Sequence, residues 1–211
     1  MVKFQKMKRT IYLDAGHSLY DSGAVANNRK EAVIAMNIRN LLFTKLEKNG
    51  FKVVSVPDDL NLINSIKYIN KQAHNINDGL AIALHLNAGK GEGAEAFYLG
   101  ENKPSREIAK KLIDAYCKTA NFKNRGPKPD TSTLHKRLGF IRDTFCWATL
   151  IELGFIDNKN DLIKLLDYDK IAEGVLAGIQ AIYGDDIVSK LNWIQKLLHD
   201  IQIKLELLKR K

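Results

Sequence analysis

Several classes of protein are excluded by what this sequence lacks. Its 211 residues contain only two cysteines, Cys117 and Cys146, which are too few for a disulfide framework and do not form a CxxC metal or redox motif. No apolar run approaches the roughly 18 residues that a membrane-spanning helix needs. The basic residues 1–9 lead into a predicted strand without the apolar segment of a signal peptide. We therefore expect two ordinary thiols and a protein made in the cytoplasm, which acts outside the cell only after release by another route.

The composition indicates a globular protein with an acidic partner. The chain is 45% hydrophobic and carries a formal net charge of +9. Such a charge favours association with nucleic acid, an anionic membrane or a polyanionic cell wall. No nucleic-acid-binding motif accompanies the basic residues, so we expect no nucleic-acid partner.

Strand and helix patterns alternate along the chain. Short apolar runs predict strands that begin at Ile11 and that span Phe51–Val56, Leu80–Leu84, Ala94–Leu99, Leu138–Arg142 and Ala148–Leu153. Helical periodicity predicts helices over Arg29–Lys48, Leu60–Ile76, Ser105–Ala120 with Ser105 as the N-cap, Asn158–Leu166 and Tyr168–Tyr183. The segments Ser18–Asn28 and Asn121–Lys136 have the composition of loops. This alternation predicts an α/β fold, a mainly parallel twisted sheet with helices on both faces, plus a C-terminal helix.

Four polar residues follow or open these elements in an unusual way. His17 follows the first strand, His85 follows Leu80–Leu84, and Glu152 lies at the end of an apolar strand. Glu31 lies near the start of a helix, where the helix dipole favours a carboxylate. Because sites in open α/β sheets form outside the carboxyl ends of the strands, we expect these side chains to converge.

Two histidines and a glutamate from three separate elements make a reasonable zinc set, since catalytic zinc sites use three protein ligands and leave one position open. The residues alone leave another interpretation open. His17 can be a hydrogen-bonded polar residue, Glu31 a first-turn carboxylate and His85 an ordinary histidine of the crevice.

A family resemblance favours the metal. The motifs are Leu13-Asp14-Ala15-Gly16-His17, then Arg29-Lys30-Glu31, then Leu84-His85-Leu86-Asn87-Ala88, then Ile151-Glu152-Leu153-Gly154-Phe155-Ile156-Asp157-Asn158. In this order they resemble the zinc-dependent N-acetylmuramoyl-L-alanine amidases of cell division, sporulation and phage lysis. The resemblance covers about residues 9–183.

The resemblance implies that His17, Glu31 and His85 bind Zn²⁺ and that Glu152 is the catalytic carboxylate. It also implies peptidoglycan as the partner, with cleavage of the amide between N-acetylmuramic acid and the L-alanine of the stem peptide. We expect the apolar strand before Glu152 to raise its pKa, and zinc to pull that pKa down.

Other polar residues are weaker candidates. Asp14 is either the hydrogen-bond partner of His17 or a structural residue, and Asn87 either contacts substrate or makes a turn hydrogen bond. The basic segment Arg125–Arg137, with Arg125, Lys128 and His135 as candidate substrate contacts, either holds anionic wall groups or is simply solvated.

The C-terminal residues form a separate pattern. Ile187, Leu191, Ile194, Leu198, Ile201, Leu205 and Leu208 recur at alternating spacings of four and three. This heptad seam predicts self-association through a coiled coil. A helix that folds back on the domain and an amphipathic helix that binds a surface are the alternatives. We thus divide the chain into a catalytic domain, residues 1–183, and a C-terminal helix, residues 184–211.

The leading functional hypothesis is a phage or prophage endolysin that acts on the cell wall after release. A sporulation or autolytic amidase of the host is the first alternative. A non-catalytic wall-binding module and another zinc hydrolase, such as a peptidase, are further alternatives.

Overall fold

A six-stranded sheet forms the centre of the protein. The computed structural model describes residues 10–133 and 136–184. Within them the strands are β1 (Thr10–Asp14), β2 (Val25–Ala26), β3 (Arg29–Lys30), β4 (Lys52–Ser55), β5 (Leu80–Asn87), β6 (Ala94–Tyr98), β7 (Asn124–Pro129) and β8 (Trp147–Phe155). The short strands β2 and β3 pair only with each other, as an antiparallel hairpin.

The strand order in the sheet is β4-β1-β5-β8-β6-β7. The first four strands in this order run parallel, whereas β6 is antiparallel to β8 and parallel to β7. The mainly parallel sheet that the sequence predicts is therefore confirmed. The carboxyl ends of β1, β5 and β8 lie at one edge, which is where the candidate residues are carried.

Helices cover both faces of the sheet, also as predicted. They are α1 (Glu31–Lys48), α2 (Leu62–Asn70), α3 (Lys103–Ala120), α4 (Gly139–Asp143), α5 (Lys159–Leu165) and α6 (residues 168–184). One hydrophobic core packs α1, α3, α5 and α6 against one face, and a second packs α2 and α4 against the other. Strands covered on both sides are mostly apolar, which explains the runs of buried residues in β1 and β5 before their polar carboxyl ends.

Helix α3 begins two residues earlier than predicted. Its N-cap is Asn102, whose side chain accepts a hydrogen bond from the backbone N–H of Ser105 at 2.9 Å. The prediction that Ser105 is the N-cap is wrong, because Pro104 fits the first turn and extends the helix upstream. Ser105 is instead buried, and its hydroxyl accepts from the backbone N–H of Leu99.

The segment Asn121–Lys136, which the sequence predicts as a loop, contains strand β7. This strand lies at the edge of the sheet, where its prolines Pro127 and Pro129 cost no ladder hydrogen bonds on the open side. Gly126 has φ +80°, and the register with β6 shifts there. The glycine and prolines that suggest a loop are thus compatible with an irregular edge strand.

The prediction of a strand over Leu138–Arg142 is wrong, because residues 139–143 form helix α4. Phe140 and Ile141 are adjacent and both are buried in the core around α2. A strand would send neighbouring side chains to opposite faces, whereas a helix can bury both on one side.

Some predictions fall on residues outside the described ranges. These are the substrate contact by His135 and the C-terminal coiled coil, residues 187–211. Within the described ranges, no helix is long and apolar enough to cross a membrane. Both cysteines are buried and unbridged, and burial raises the pKa of each thiol to about 12.

Candidate metal centre

The loop after β1 brings His17 to the site. The Asp14 side chain accepts a hydrogen bond from the backbone N–H of Gly16 at 2.6 Å and so fixes the turn. Gly16 has φ +76°, and a Cβ added there would lie 2.6 Å from His85 Nε2. Only glycine lets this turn pass so close to the second histidine.

His17 is oriented by an acidic residue four positions later. Its Nδ1 lies 2.8 Å from Asp21 Oδ2, and its Nε2 lies 3.2 Å from Glu31 Oε1. Asp21 rather than Asp14 is therefore the hydrogen-bond partner of this imidazole, and Asp14 takes the structural role that the sequence left open. A carboxylate on one ring nitrogen leaves the other free to act as a metal ligand.

Glu31 opens α1 and lies at the centre of the site. It is only 3% exposed, and its two oxygens accept hydrogen bonds from the backbone N–H groups of Ala24 and Leu86, both at 2.9 Å. A Cβ added to Gly23, which has φ +60°, would lie 2.6 Å from Glu31 Oε2 and 2.5 Å from the His17 ring. The segment between β1 and β2 therefore encloses the carboxylate tightly.

His85 completes the group, which we call the metal cluster: His17, Glu31 and His85. His85 lies within β5, which continues to Asn87 and is longer than predicted. Its Nδ1 lies 3.0 Å from Glu31 Oε1, and the two imidazole rings are 5.0 Å apart in a T-shaped arrangement. One potential ligand atom from each residue lies within 4.8 Å of the others.

The geometry and the donor set fit zinc. Ligand atoms about 2.0–2.2 Å from a tetrahedral zinc are separated by roughly 3.3–3.6 Å. The separations of 3.0 and 3.2 Å from the Glu31 oxygen to the two imidazole nitrogens are close to this range. The residues therefore suit a zinc ion with only small side-chain adjustments.

The electrostatics of the metal cluster favour positive charge. The hydrogen bond with Glu31 raises the pKa of His17 to about 9. Burial opposes protonation of His85, but Glu31 and Glu152 outweigh it and raise the pKa of this imidazole. Burial of Glu31 is likewise outweighed by the two histidines, which hold the pKa of Glu31 well below the usual range. The negative charge of Glu31 stabilises the protonated form of both histidines, and it can stabilise a bound metal cation in the same way once those protons are released.

Glu152 lies beside the metal cluster. It occupies β8, and the parallel register places it opposite His85 in β5. Its Oε2 is buried and has no hydrogen-bond partner within the described part of the chain. Burial raises its pKa to about 7; Glu31 and Glu95 act in the same direction and His85 opposes them. Burial thus acts on the pKa of this carboxyl in the predicted direction, and the opposing effect of zinc stays a prediction.

A second group of polar residues lies on the other side of Glu152. Glu95 in β6 is the antiparallel cross-strand partner of Glu152. Its Oε2 lies 2.6 Å from both Arg125 Nε and Lys128 Nζ, and its Oε1 accepts from Asn87 Nδ2 at 3.2 Å. We call these four residues the Glu95 cluster. Three of the predicted substrate contacts, Asn87, Arg125 and Lys128, are thus brought together by a glutamate that the sequence analysis missed.

Comparison with known proteins agrees with this arrangement. A family model for N-acetylmuramoyl-L-alanine amidase matches residues 11–181. The chain is 31% identical over 160 residues to the N-acetylmuramoyl-L-alanine amidase CwlM of Bacillus licheniformis, which covers 74% of this chain and 60% of that protein. It is 30% identical over 186 residues to an endolysin of Bacillus phage SPP1, covering 83% of this chain and 66% of the endolysin. The chain therefore matches less than two thirds of the length of either relative.

A solved structure extends the likeness to the fold. The catalytic domain of the CD27L endolysin targeting Clostridia difficile is 30% identical, with a TM-score of 0.65, over 81% of this chain and 96% of that domain. The sequence match spans nearly all of the described residues, and the strands that carry the metal cluster lie within it. The chain therefore belongs to the N-acetylmuramoyl-L-alanine amidase family.

Proposed function

We propose that this protein is a zinc-dependent hydrolase of the amide bond between N-acetylmuramic acid and the L-alanine of the peptidoglycan stem. The observation that carries the proposal is the convergence of His17, Glu31 and His85, with Glu152 opposite His85 on the adjacent strand. Membership of the amidase family supports the choice of bond and substrate.

Each residue of the site has a chemical role in this proposal. His17, Glu31 and His85 would hold zinc, which when bound is a Lewis acid that polarises the scissile carbonyl. Glu152 accepts a proton from the attacking water and returns it to the departing amine nitrogen of L-alanine. Burial, which raises the pKa of Glu152, favours holding the proton between these two steps, whereas bound zinc would act in the opposite direction. The products are a carboxylate on the muramic acid and a free amino group on the stem.

We propose further that the protein acts as a lytic enzyme of a phage or prophage, and that it reaches the wall after release from the cytoplasm. The likeness to the phage SPP1 endolysin supports this role. A host autolytic or sporulation role is the second candidate, which the likeness to a Bacillus subtilis sporulation-specific amidase supports.

The test is a digest of purified peptidoglycan followed by analysis of the new amino groups. We expect free L-alanine amino groups on intact stems, loss of activity with a chelator and recovery when zinc is restored. New amino groups inside the stem would identify a peptidase instead. Binding to the wall without any new amino group would identify a non-catalytic module.

Self-association through residues 187–211 is a separate proposal, which rests on the heptad spacing alone. The solution mass of the full chain is compared with that of a chain ending at Gly184. We expect the full chain to be an oligomer and the truncated chain a monomer that still cleaves peptidoglycan. A full-length monomer at micromolar concentration would rule the coiled coil out.

A further inference from the structure

The Glu95 cluster carries a net positive charge. Glu95 Oε2 lies 2.6 Å from both Arg125 Nε and Lys128 Nζ, so one carboxylate faces two permanent cations. Asn87 donates to the other oxygen, which leaves both oxygens of Glu95 occupied. The cluster therefore has a surplus of one positive charge.

The exposure of these side chains shows where the surplus charge lies. The Glu95 side chain is only 6% exposed, whereas those of Arg125 and Lys128 are 32% and 33% exposed. Neither cation has an acidic partner other than Glu95 among the residues that the structure describes. By contrast, Arg39, Arg137 and Arg142 each pair with an aspartate of their own. The carboxylate is thus sealed inside, and the two cations face solvent.

The guanidinium is held in a fixed orientation. Arg125 Cζ lies 5.1 Å from the centre of the Phe155 ring, and Nη1 donates to the Glu92 carbonyl oxygen at 3.5 Å. With Nε on Glu95, the group is fixed from three sides, so that it can bind an anion with little further loss of side-chain freedom.

The position of the cluster relates it to the reacting bond. His85, Glu152 and Glu95 are register partners on three adjacent strands, β5, β8 and β6. Neighbouring strands are about 4.8 Å apart, so Glu95 lies roughly 10 Å along this row from the metal cluster. Two to three residues of an extended peptide span roughly 7–11 Å. A stem peptide whose first amide carbonyl lies at the metal cluster, and which runs along this row past Glu152, would thus bring the side group of its second residue close to Arg125 and Lys128.

We propose that Arg125 and Lys128, held by Glu95, form a subsite for the free carboxylate on the second residue of the stem peptide. This inference rests on the proposed amidase function. Arginine and lysine bind carboxylates by charge-assisted hydrogen bonds, which a neutral carboxamide cannot make with comparable strength. The protein should therefore distinguish stems with a free carboxylate at this residue from amidated stems.

The test uses two N-acetylmuramoyl dipeptides that differ only at the second residue, D-isoglutamate or D-isoglutamine. Binding is measured by calorimetry on the zinc-loaded full chain carrying Glu152→Gln, so that neither ligand is cleaved. We expect the carboxylate form to bind about tenfold more tightly. Adding Lys128→Met should reduce this ratio to about twofold or threefold, and Lys128→Arg should keep most of it.

The matched control is Lys118→Met, which removes the same charge from the exposed surface of α3 on the opposite face of the sheet. It should leave the ratio unchanged. Equal affinities for the two ligands, or equal weakening of both by Lys128→Met, would overturn the subsite. Turnover by the wild-type chain is a separate readout. Failure to cleave either ligand or whole peptidoglycan counts against the proposed amidase function, whereas the binding ratio decides the subsite.

Discussion

The metal cluster and the Glu95 cluster are built on the same plan but differ in the bases they use. In each, a buried glutamate presents one oxygen to two basic side chains: Glu31 to His17 and His85, and Glu95 to Arg125 and Lys128. Imidazoles can lose their protons near neutral pH, so a metal ion can replace those protons. Guanidinium and ammonium groups keep their charge, so the second cluster attracts an anion. The identity of the base therefore decides whether such a cluster suits a cation or an anion.

The strongest test of this comparison removes a base from the metal cluster. His85→Ala should eliminate stoichiometric zinc binding and with it all measurable amidase activity, because two ligands do not make a stable catalytic zinc site. Elemental analysis and the peptidoglycan digest measure the two effects. His74→Ala, at an exposed position after α2, is the control and should retain both. Full zinc occupancy in His85→Ala would contradict the ligand assignment.

The carboxylate between the two clusters gives the next largest effect. Glu152→Gln should keep fold and zinc but lower turnover by about 10²–10⁴-fold, because an amide cannot relay the proton. The rate of release of L-alanine amino groups measures this loss. Glu101→Gln, in the exposed turn before α3, should retain normal activity. Normal turnover by a folded Glu152→Gln protein would show that another group is the base.

Removal of the central charge of the Glu95 cluster should affect stability more than chemistry. Glu95→Gln leaves two cations facing each other without their carboxylate, and should lower the free energy of unfolding by about 1–3 kcal/mol. Urea denaturation measures the change. Glu92→Gln, at a glutamate whose nearest cation lies 3.8 Å away on an exposed lysine, should change it by less than about 0.5 kcal/mol. Equal losses in the two variants would show that Glu95 organises nothing.

The effect of Glu95→Gln on the free energy of unfolding should also depend on pH. Burial works against ionisation of Glu95, but Lys128 and Arg125 outweigh it and hold the pKa of this carboxyl below its usual range. Its contribution to stability is therefore fully present above the ordinary carboxyl pKa of about 4.3, and is lost as pH falls through the lower pKa of the folded state. The stability difference between wild type and Glu95→Gln should shrink at acid pH. A difference that grows on acidification would contradict the ion pairing.

The smallest effect should come from the charges of the basic segment Arg125–Arg137 on wall binding. Wall affinity should fall as salt rises, and neutralising Lys128, Lys136 and Arg137 together should flatten that dependence. Arg137 already pairs with Asp143 at the surface, so we expect Arg137→Gln alone to change the salt dependence much less than Lys128→Met. Wall binding across a salt series measures both. An unchanged response in the triple variant would leave the segment without this role.

Local patterns in the sequence predict most of the elements that carry the site. Apolar runs and helical periodicity locate β1, β5, β8 and α1 to within a few residues, and the polar residues that interrupt or follow them are those that converge. The wrong predictions of secondary structure fall where one local pattern is compatible with two structures. Gly126, Pro127 and Pro129 suggest a loop but fit an edge strand, and the short apolar segment at Phe140 suggests a strand but forms a helix turn.

What the sequence determined by itself is the set of groups with unusual chemistry and the elements that bear them, because hydropathy and its periodicity are local properties of the chain. The tertiary structure decided which groups meet. In the sequence Glu95 is indistinguishable from other acidic residues. The antiparallel pairing of β6 with β8 places it beside Glu152, and the pairing of β7 with β6 places Arg125 and Lys128 against it. Strand order depends on packing between distant segments, and no local pattern encodes it. The metal ligands could be proposed from the sequence because the family resemblance was added to these local patterns, whereas the Glu95 cluster could be recognised only in the fold.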